Sequence, residues 1–471
     1  MPASGAPEPA RARTKPWLIV TAATVATVMT APGQTAAISV FTDPLIAELG
    51  ISRNALSTSY LIGTLGGAGA MPLVGRALDR FGVGRTMTVI AAVFGAVLIG
   101  LSFVTGILGL TAGFIGIRMA GQGALGLAAT TAVAVHVTHR RGLALGITSA
   151  VGSAGISLAP VVLERLISAW GMDTVWLVEG LLVWAVVLPL ALLVFSRTQP
   201  PRRMLRAEAG ANAQADAEAL ADAEEGEASD EGAESEEGEA SDEGAEPGSE
   251  TEKTRASQSE AKTNAGPGQP PAHSADGHRP WTVAAAVGTP MFWAIAAAVA
   301  ASGMLSTALN FHQIAALGEQ GLSPAQAALN FVPQAIATMT ITIGVGALTD
   351  RIAPKFGLVF AMVLLGGALL SLSLVSDAWT AMGYGILLGA SGGAVRTVEA
   401  AAFAHYFGTT HLGAIRGLVT TISVSSTAVG PLALSLGQQA LGSYGAAATV
   451  LAVIPAIVIV AALFVRPPAR S

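Results

Sequence analysis

Gly75-Arg76-Ala77-Leu78-Asp79-Arg80-Phe81-Gly82-Val83-Gly84-Arg85 is a short charged stretch between two long apolar runs. It returns in shortened form as Gly346-Ala347-Leu348-Thr349-Asp350-Arg351, again between apolar runs. In both copies an Asp-Arg pair follows a glycine by four positions, directly after an apolar block. Apolar blocks fall near 17–41, 55–77, 86–106, 108–135, 142–166 and 174–195. They recur near 282–310, 324–348, 356–376, 379–404, 412–437 and 444–465. Each can cross a roughly 30 Å hydrocarbon layer as a helix rising about 1.5 Å per residue. The expected fold is therefore an all-α membrane protein with twelve transmembrane helices in two pseudo-symmetric six-helix bundles. Arg141-Gly142 ahead of Gly155, and Arg416-Gly417 ahead of Gly430, read as a second pair of equivalent positions. Repeated halves of this kind place a substrate site between them at mid-membrane.

Composition agrees with lipid as the solvent. Of 471 residues, 52% are apolar and 12% charged, too little charge to cover a water-soluble surface of this size. The chain has no cysteine, which excludes disulfides and thiol chemistry. The run from Trp17 is too long for the apolar part of a cleaved signal peptide and reads as a first span. Residues 207–279 hold 20 of the 31 acids but 4 of the 25 bases, leaving 21 bases against 11 acids elsewhere. The acidic balance thus belongs to one segment, in which Glu224–Glu234 is repeated word for word at Glu236–Glu246. Such a segment cannot bury enough apolar surface to fold and reads as a disordered linker. The expected division is a disordered N-terminus (1–16), a six-helix half (17–195), the linker (196–280), a second half (281–466) and a tail (467–471).

With the N-terminus in the cytoplasm, only Arg53 and Arg165 fall in external loops, while Arg118 and Arg396 fall inside spans. The other 21 of the 25 bases are then cytoplasmic, as positive charge near short loops requires. Both termini and the linker are expected in the cytoplasm, and the protein in a plasma or bacterial inner membrane. No phosphate-binding loop, His/Cys metal-ligand spacing or Ser/His/Asp set is apparent, so no enzyme activity, cofactor or metal is expected. The linker has the wrong sign for nucleic acid.

The run from Gly75 to Arg85 resembles the signature loop of the major facilitator superfamily, and Asp350-Arg351 its weaker second copy. That resemblance implies that Asp79, Arg80, Arg85, Asp350 and Arg351 are conformational latches, and that the working unit is a monomer. A finer resemblance is to the oxalate/formate antiporter and monocarboxylate porter branches. It rests on Gly33-Gln34-Thr35 through Pro44-Leu45, on Arg140-Arg141-x-Leu143-Ala144-x-Gly146, and on Tyr406-Phe407-Gly408 with Gly430-Pro431. The sequence departs from both branches in span eight, which carries no charge from Pro324 to Leu348. It also lacks the acidic-Gly-aromatic signature of monocarboxylate porters in span one.

Charges inside spans are the sharpest functional signals, because an intramembrane Arg costs roughly 2.5–3.5 kcal/mol unless it meets a wet cavity or a partner. Arg118 lies near the middle of span four, with Gln122 at i+4. Arg396 and Glu399 share a face of span ten, either as a neutral internal pair or as an anion ligand beside a proton carrier. Glu179 is placed within reach of external water, and His312 at the outer end of span seven. Gln34, after the Pro32-Gly33 break, Tyr60, Asn310, Asn330 and Gln334 are further candidate lining residues. Arg118, Arg396, Gln34, Tyr60, Gln122, Asn310, Asn330 and Gln334 are thus expected to bind substrate, and Glu399 to couple protons. The expected function is secondary transport of a small, monocarboxylate-like organic anion with protons or a counter-anion. Two alternatives stand beside it: a proton-coupled exporter of drugs or metabolites, and a non-transporting membrane sensor or scaffold.

Overall fold

The computed structural model describes residues 16–137, 140–195, 281–349, 353–408 and 412–468. The expected linker, and the latch candidates Asp350 and Arg351, lie outside the described residues. Nearly all of the described chain is helical, and eleven helices are long and apolar enough to cross a membrane, among them Pro16–Ser39, Arg53–Phe81 and Ala378–Phe407. Span four makes the twelfth. It is continuous from Ile107 to His136 but changes winding, from α-helix at Ile107–Ile117 to π-helix at Arg118–Leu125 and back at Gly126–His136.

The halves repeat with a fixed offset. Gly50 and Gly321 both turn in the left-handed region (φ 61° and 88°), as do Gly171 and Gly442 (81° and 80°). Ser52 and Ser323 both cap the following helix, accepting from Ala55 N–H and Gln326 N–H. Each pair is 271 positions apart, as are the helices Arg141–Trp170 and Leu412–Leu441 and their internal Pro160 and Pro431. The pair Gly75/Gly346 fits this offset. The pairs Arg141/Arg416 and Gly155/Gly430 do not: they are four positions out, about one helical turn, and are not structural equivalents.

In lipid the apolar effect does not hold helices together, so close approach of small residues must. Gly33 in the span-one break lies against span four, where an added Cβ would stand 2.8 Å from Gln122 N and 2.9 Å from Gly121 Cα. Hydroxyls in the spans mostly return to carbonyls one turn back, as Thr24 does to Val20 and Thr148 to Ala144, which hides them from lipid.

Among the described residues, the hydrogen bonds and ring contacts joining the halves sit toward the end of the bundle that carries Arg53. The Asn54 amide bonds Gln439, and its Oδ1 accepts from Ser435 Oγ at 2.5 Å. Arg53, paired with Asp43 at 2.8 Å, stacks over the Tyr444 ring, and Tyr60 meets Phe311 with ring centres 4.5 Å apart. At the opposite end Arg76, Arg80, Phe81 and Arg416 are exposed. The contacts described between the halves thus latch the bundle at the Arg53 end.

Asn54 is therefore expected to hold the latched end shut. The natural absence of cysteine makes a single Ser57→Cys substitution, at a fully buried position, a clean reporter. Adding Asn54→Leu should raise its labelling by a membrane-impermeant maleimide several-fold, whereas unchanged labelling would show that Asn54 does not hold this end.

Candidate functional site

The Pro32-Gly33 sequence breaks span one between Pro16–Val28 and Thr35–Ser39, as expected for a proline followed by glycine. The break frees the Gly33 carbonyl, which accepts from Arg118 Nη1 at 3.1 Å. The same nitrogen reaches Thr35 Oγ1 at 3.3 Å, and Arg118 Nε donates to Thr64 Oγ1 at 3.1 Å. The guanidinium carbon lies 4.8 Å from the centre of the Tyr60 ring, whose hydroxyl bonds Thr35 Oγ1 at 2.7 Å. Glycines at 63 and 67 of span two let this helix close on span four beside Phe114 and Arg118. Arg118 is 3% exposed.

Among the described residues, no acid answers this charge. Arg53–Asp43 is the one ion pair among the described residues. The cradle therefore offers a carbonyl dipole, hydroxyls and the face of an aromatic ring, all neutral, and Nε and Nη1 reach the carbonyl and the two threonine hydroxyls. A buried guanidinium held this way keeps an unspent positive potential, the state that favours an incoming anion. Sequence reasoning found Arg118 and Tyr60 but missed Gly33 O, Thr35 and Thr64. The Pro32-Gly33 break and the hydroxyls in otherwise apolar runs were the available signals.

Gln122 is exposed and has none of Arg118's partners. The π-winding accounts for this: with more residues per turn, i+4 no longer lies directly beneath i. Gln34 turns back to Thr30, donating to its hydroxyl at 3.1 Å. In the second half Gln334 Nε2 donates to Asn310 Oδ1 at 2.7 Å, joining spans seven and eight, and Asn330 is buried nearby against Gly385.

Arg396 is exposed and has no hydrogen bond or ion pair among the described residues. It follows Gly389 by seven positions along one face of span ten. The positional counterpart of Arg118 is Gly389, so Arg396 lies about two turns, roughly 10 Å, nearer the end that carries Arg416. The two bases share counterpart helices but not counterpart depths. The guanidinium folds back along its helix, with Nη2 3.9 Å from where a Cβ on Gly392 would stand. A neutral Arg396–Glu399 pair does not form. Glu399 is half-buried within electrostatic reach of Arg416 instead. Asp79, Arg80 and Arg85 are exposed and form no ion pair among the described residues, while Arg80 rests over Phe81 at 5.4 Å. Glu179 does not face outer water: it is buried, with Oε2 unpartnered. His312 is buried as a bridge, Nε2 donating to Pro431 O at 2.9 Å and Nδ1 facing the Tyr444 hydroxyl at 3.1 Å.

Twelve membrane-length helices in repeated halves around a buried cation are the architecture of a membrane transporter. Comparison with known proteins agrees: residues 23–329 match the Major Facilitator Superfamily, and the chain belongs to that superfamily. A triacylglyceride transporter from Mycolicibacterium hassiacum is 30% identical over 211 residues, covering 41% of this chain. The match spans 37% of that relative, well under half its length. Among solved structures, a bacterial homologue of the human lysosomal transporter Spinster, in an inward-facing and unoccupied conformation, superposes with a TM-score of 0.59. At 15% identity over 96% of this chain and 95% of that one, the likeness is of fold alone.

The Tyr60 ring is expected to carry part of the Arg118 cradle. A desolvated cation–π contact is worth about 2 kcal/mol. Tyr60→Leu should therefore lower the apparent melting temperature of the purified protein clearly more than Tyr60→Phe, which keeps the ring. Equal losses would assign the stabilisation to the hydroxyl.

Proposed function

We propose that the chain is a secondary transporter moving a small, monocarboxylate-like organic anion by alternating access, coupled to protons or a counter-anion. The observation that carries this reading is Arg118: buried in span four, cradled by neutral groups, and without an acid partner among the described residues. A carboxylate arriving there gains a charge-assisted hydrogen bond from the guanidinium, a strong contact in a dry setting. On the orientation set by positive loop charge, the latched end faces the outside and the other end the cytoplasm. Arg396, exposed toward the cytoplasmic end with its guanidinium folded inward, then serves as the first positive contact on the path. Glu399, near Arg416, exchanges the proton where coupling is to protons. Asp79, Arg80 and Arg85, with Asp350 and Arg351, engage when the cytoplasmic end closes. Among the described residues Asp79, Arg80 and Arg85 form no ion pair, which suits a state in which that end is open.

A second reading has its own support. Ala70, Leu73, Val89, Val93, Met119 and Ala124 are among the residues lining an almost wholly apolar groove of about 510 Å³ beside spans two to four. The curated relative's name concerns a lipid. Export of a hydrophobic compound would use such a groove, and a susceptibility panel of lipophilic compounds on a deletion strain tests it.

For the anion reading, carboxylate uptake by proteoliposomes is decisive. Arg118→Gln should reduce uptake at least ~30-fold, since truncating one partner of a buried charged contact costs about 2–5 kcal/mol. Arg396→Gln should reduce it less, chiefly at low substrate concentration. Unchanged uptake in both variants would remove the anion site.

A further inference from the structure

The two halves solve the same packing problem with opposite residues. In the first half the large side chains, Phe114 and Arg118, belong to span four, and span two meets them with glycine: a Cβ on Gly63 would lie 2.7 Å from Phe114 Cβ, and one on Gly67 3.2 Å from Arg118 Cβ. In the second half the glycines belong to span ten, and span eight supplies the large groups. Gly385 lies against the Asn330 amide and Gly389 against the Gln334 backbone. Under the 271-position offset, Gly389 is the counterpart of Arg118 and Gln334 the counterpart of Gly63. The Arg118 level of one half is thus met in the other by Gly389 against the Gln334 backbone, and the Phe114 level by Gly385 against the Asn330 amide. Ser306 of span seven is likewise the counterpart of Thr35, one of Arg118's partners.

These amides are not satisfied. Gln334 Nε2 is spent on Asn310. Gln334 Oε1, both polar atoms of the Asn330 side chain, and Ser306 Oγ are buried without a hydrogen-bond partner. Asn330 is 4% exposed. Buried polar atoms in native proteins are nearly always paired, and these four, grouped on two facing helices, offer hydrogen-bonding positions to a ligand group. The orphans include donors and acceptors together, which suits a hydroxyl, itself both donor and acceptor, and gives no advantage to a bare alkyl group. Tyr60 contacts both the cation and span seven, with Arg118 Cζ at 4.8 Å and the Phe311 ring centre at 4.5 Å, and span seven also carries Ser306 and Asn310.

We infer that Asn330, Gln334 and Ser306 form a neutral subsite for a hydroxyl of the transported anion, so that the substrate class is hydroxy-carboxylates. The inference rests on the anion reading above: Arg118 takes the carboxylate and the amides take the hydroxyl. A site built to hydrogen-bond a hydroxyl rejects the analogue lacking it more strongly than any apolar pocket can discriminate.

The test titrates the purified full-length protein with two matched pairs, lactate against propionate and 4-hydroxybutyrate against butyrate, reading the ligand-dependent rise in melting temperature. In the wild type, the hydroxylated member of at least one pair should bind about tenfold or more tightly. Asn330→Leu and Gln334→Met should erase that preference while leaving the plain acid bound. Ser306→Ala, a smaller change, guards against misfolding of the larger ones and should weaken the preference in part. Equal binding of hydroxylated and plain acids in the wild type, or a preference that survives all three substitutions, would overturn the subsite and leave Arg118 untouched. Binding of none of the four acids would overturn the anion reading and this inference with it.

Discussion

A positive charge buried without a negative partner among the described residues is the constraint on which the rest of this structure depends. Arg118 sits where an unsolvated guanidinium is costly, and the surrounding chain is arranged to make that bearable without neutralising it. The break at Pro32-Gly33 turns a carbonyl toward it, and glycines in span two bring Thr64 and the Tyr60 ring close. The π-winding that begins at Arg118 itself belongs to the same arrangement, because it occurs where Gly33 and Gly121 let two backbones nearly touch. An acid at Thr35 or Thr64 would have held the arginine at lower cost and removed its potential. The neutral cradle leaves that potential available to a ligand.

The same constraint links the site to the conformational cycle. Tyr60 contacts the buried cation on one side and Phe311 of the other half on the other, so the ring that steadies Arg118 also helps seal the Arg53 end. A ligand that changes how Arg118 is held acts on a contact between the halves. That is the kind of differential interaction a conformational shift requires.

Much of the fold was legible in the sequence because lipid imposes simple rules: length, apolarity and glycine-marked turns placed twelve spans. The second family of equivalent positions was less legible. Arg141/Arg416 and Gly155/Gly430 look alike but are one turn out of register, since similar residues recur by chance in glycine-rich helices. Aligning the left-handed turn glycines, Gly50 with Gly321 and Gly171 with Gly442, would have fixed the offset, because a positive φ is a backbone requirement. With that offset, Arg118 and Arg396 could have been seen to lie at different depths. The cradle was half-visible. Arg118 and Tyr60 stood out by type, whereas a backbone carbonyl and two threonines have no signature until helices pack. Gln122 illustrates the reverse limit, since an i+4 argument assumes α-helical winding and the chain abandons it at that point.

The most direct measurement of the central claim is a crystal structure of the protein with 3-bromopropionate, whose bromine can be located by its anomalous scattering. The account predicts a carboxylate within hydrogen-bond distance of the Arg118 guanidinium, with the bromine in the space between the halves. Saturating ligand with its bromine found only elsewhere, and no carboxylate at the Arg118 guanidinium, would contradict it.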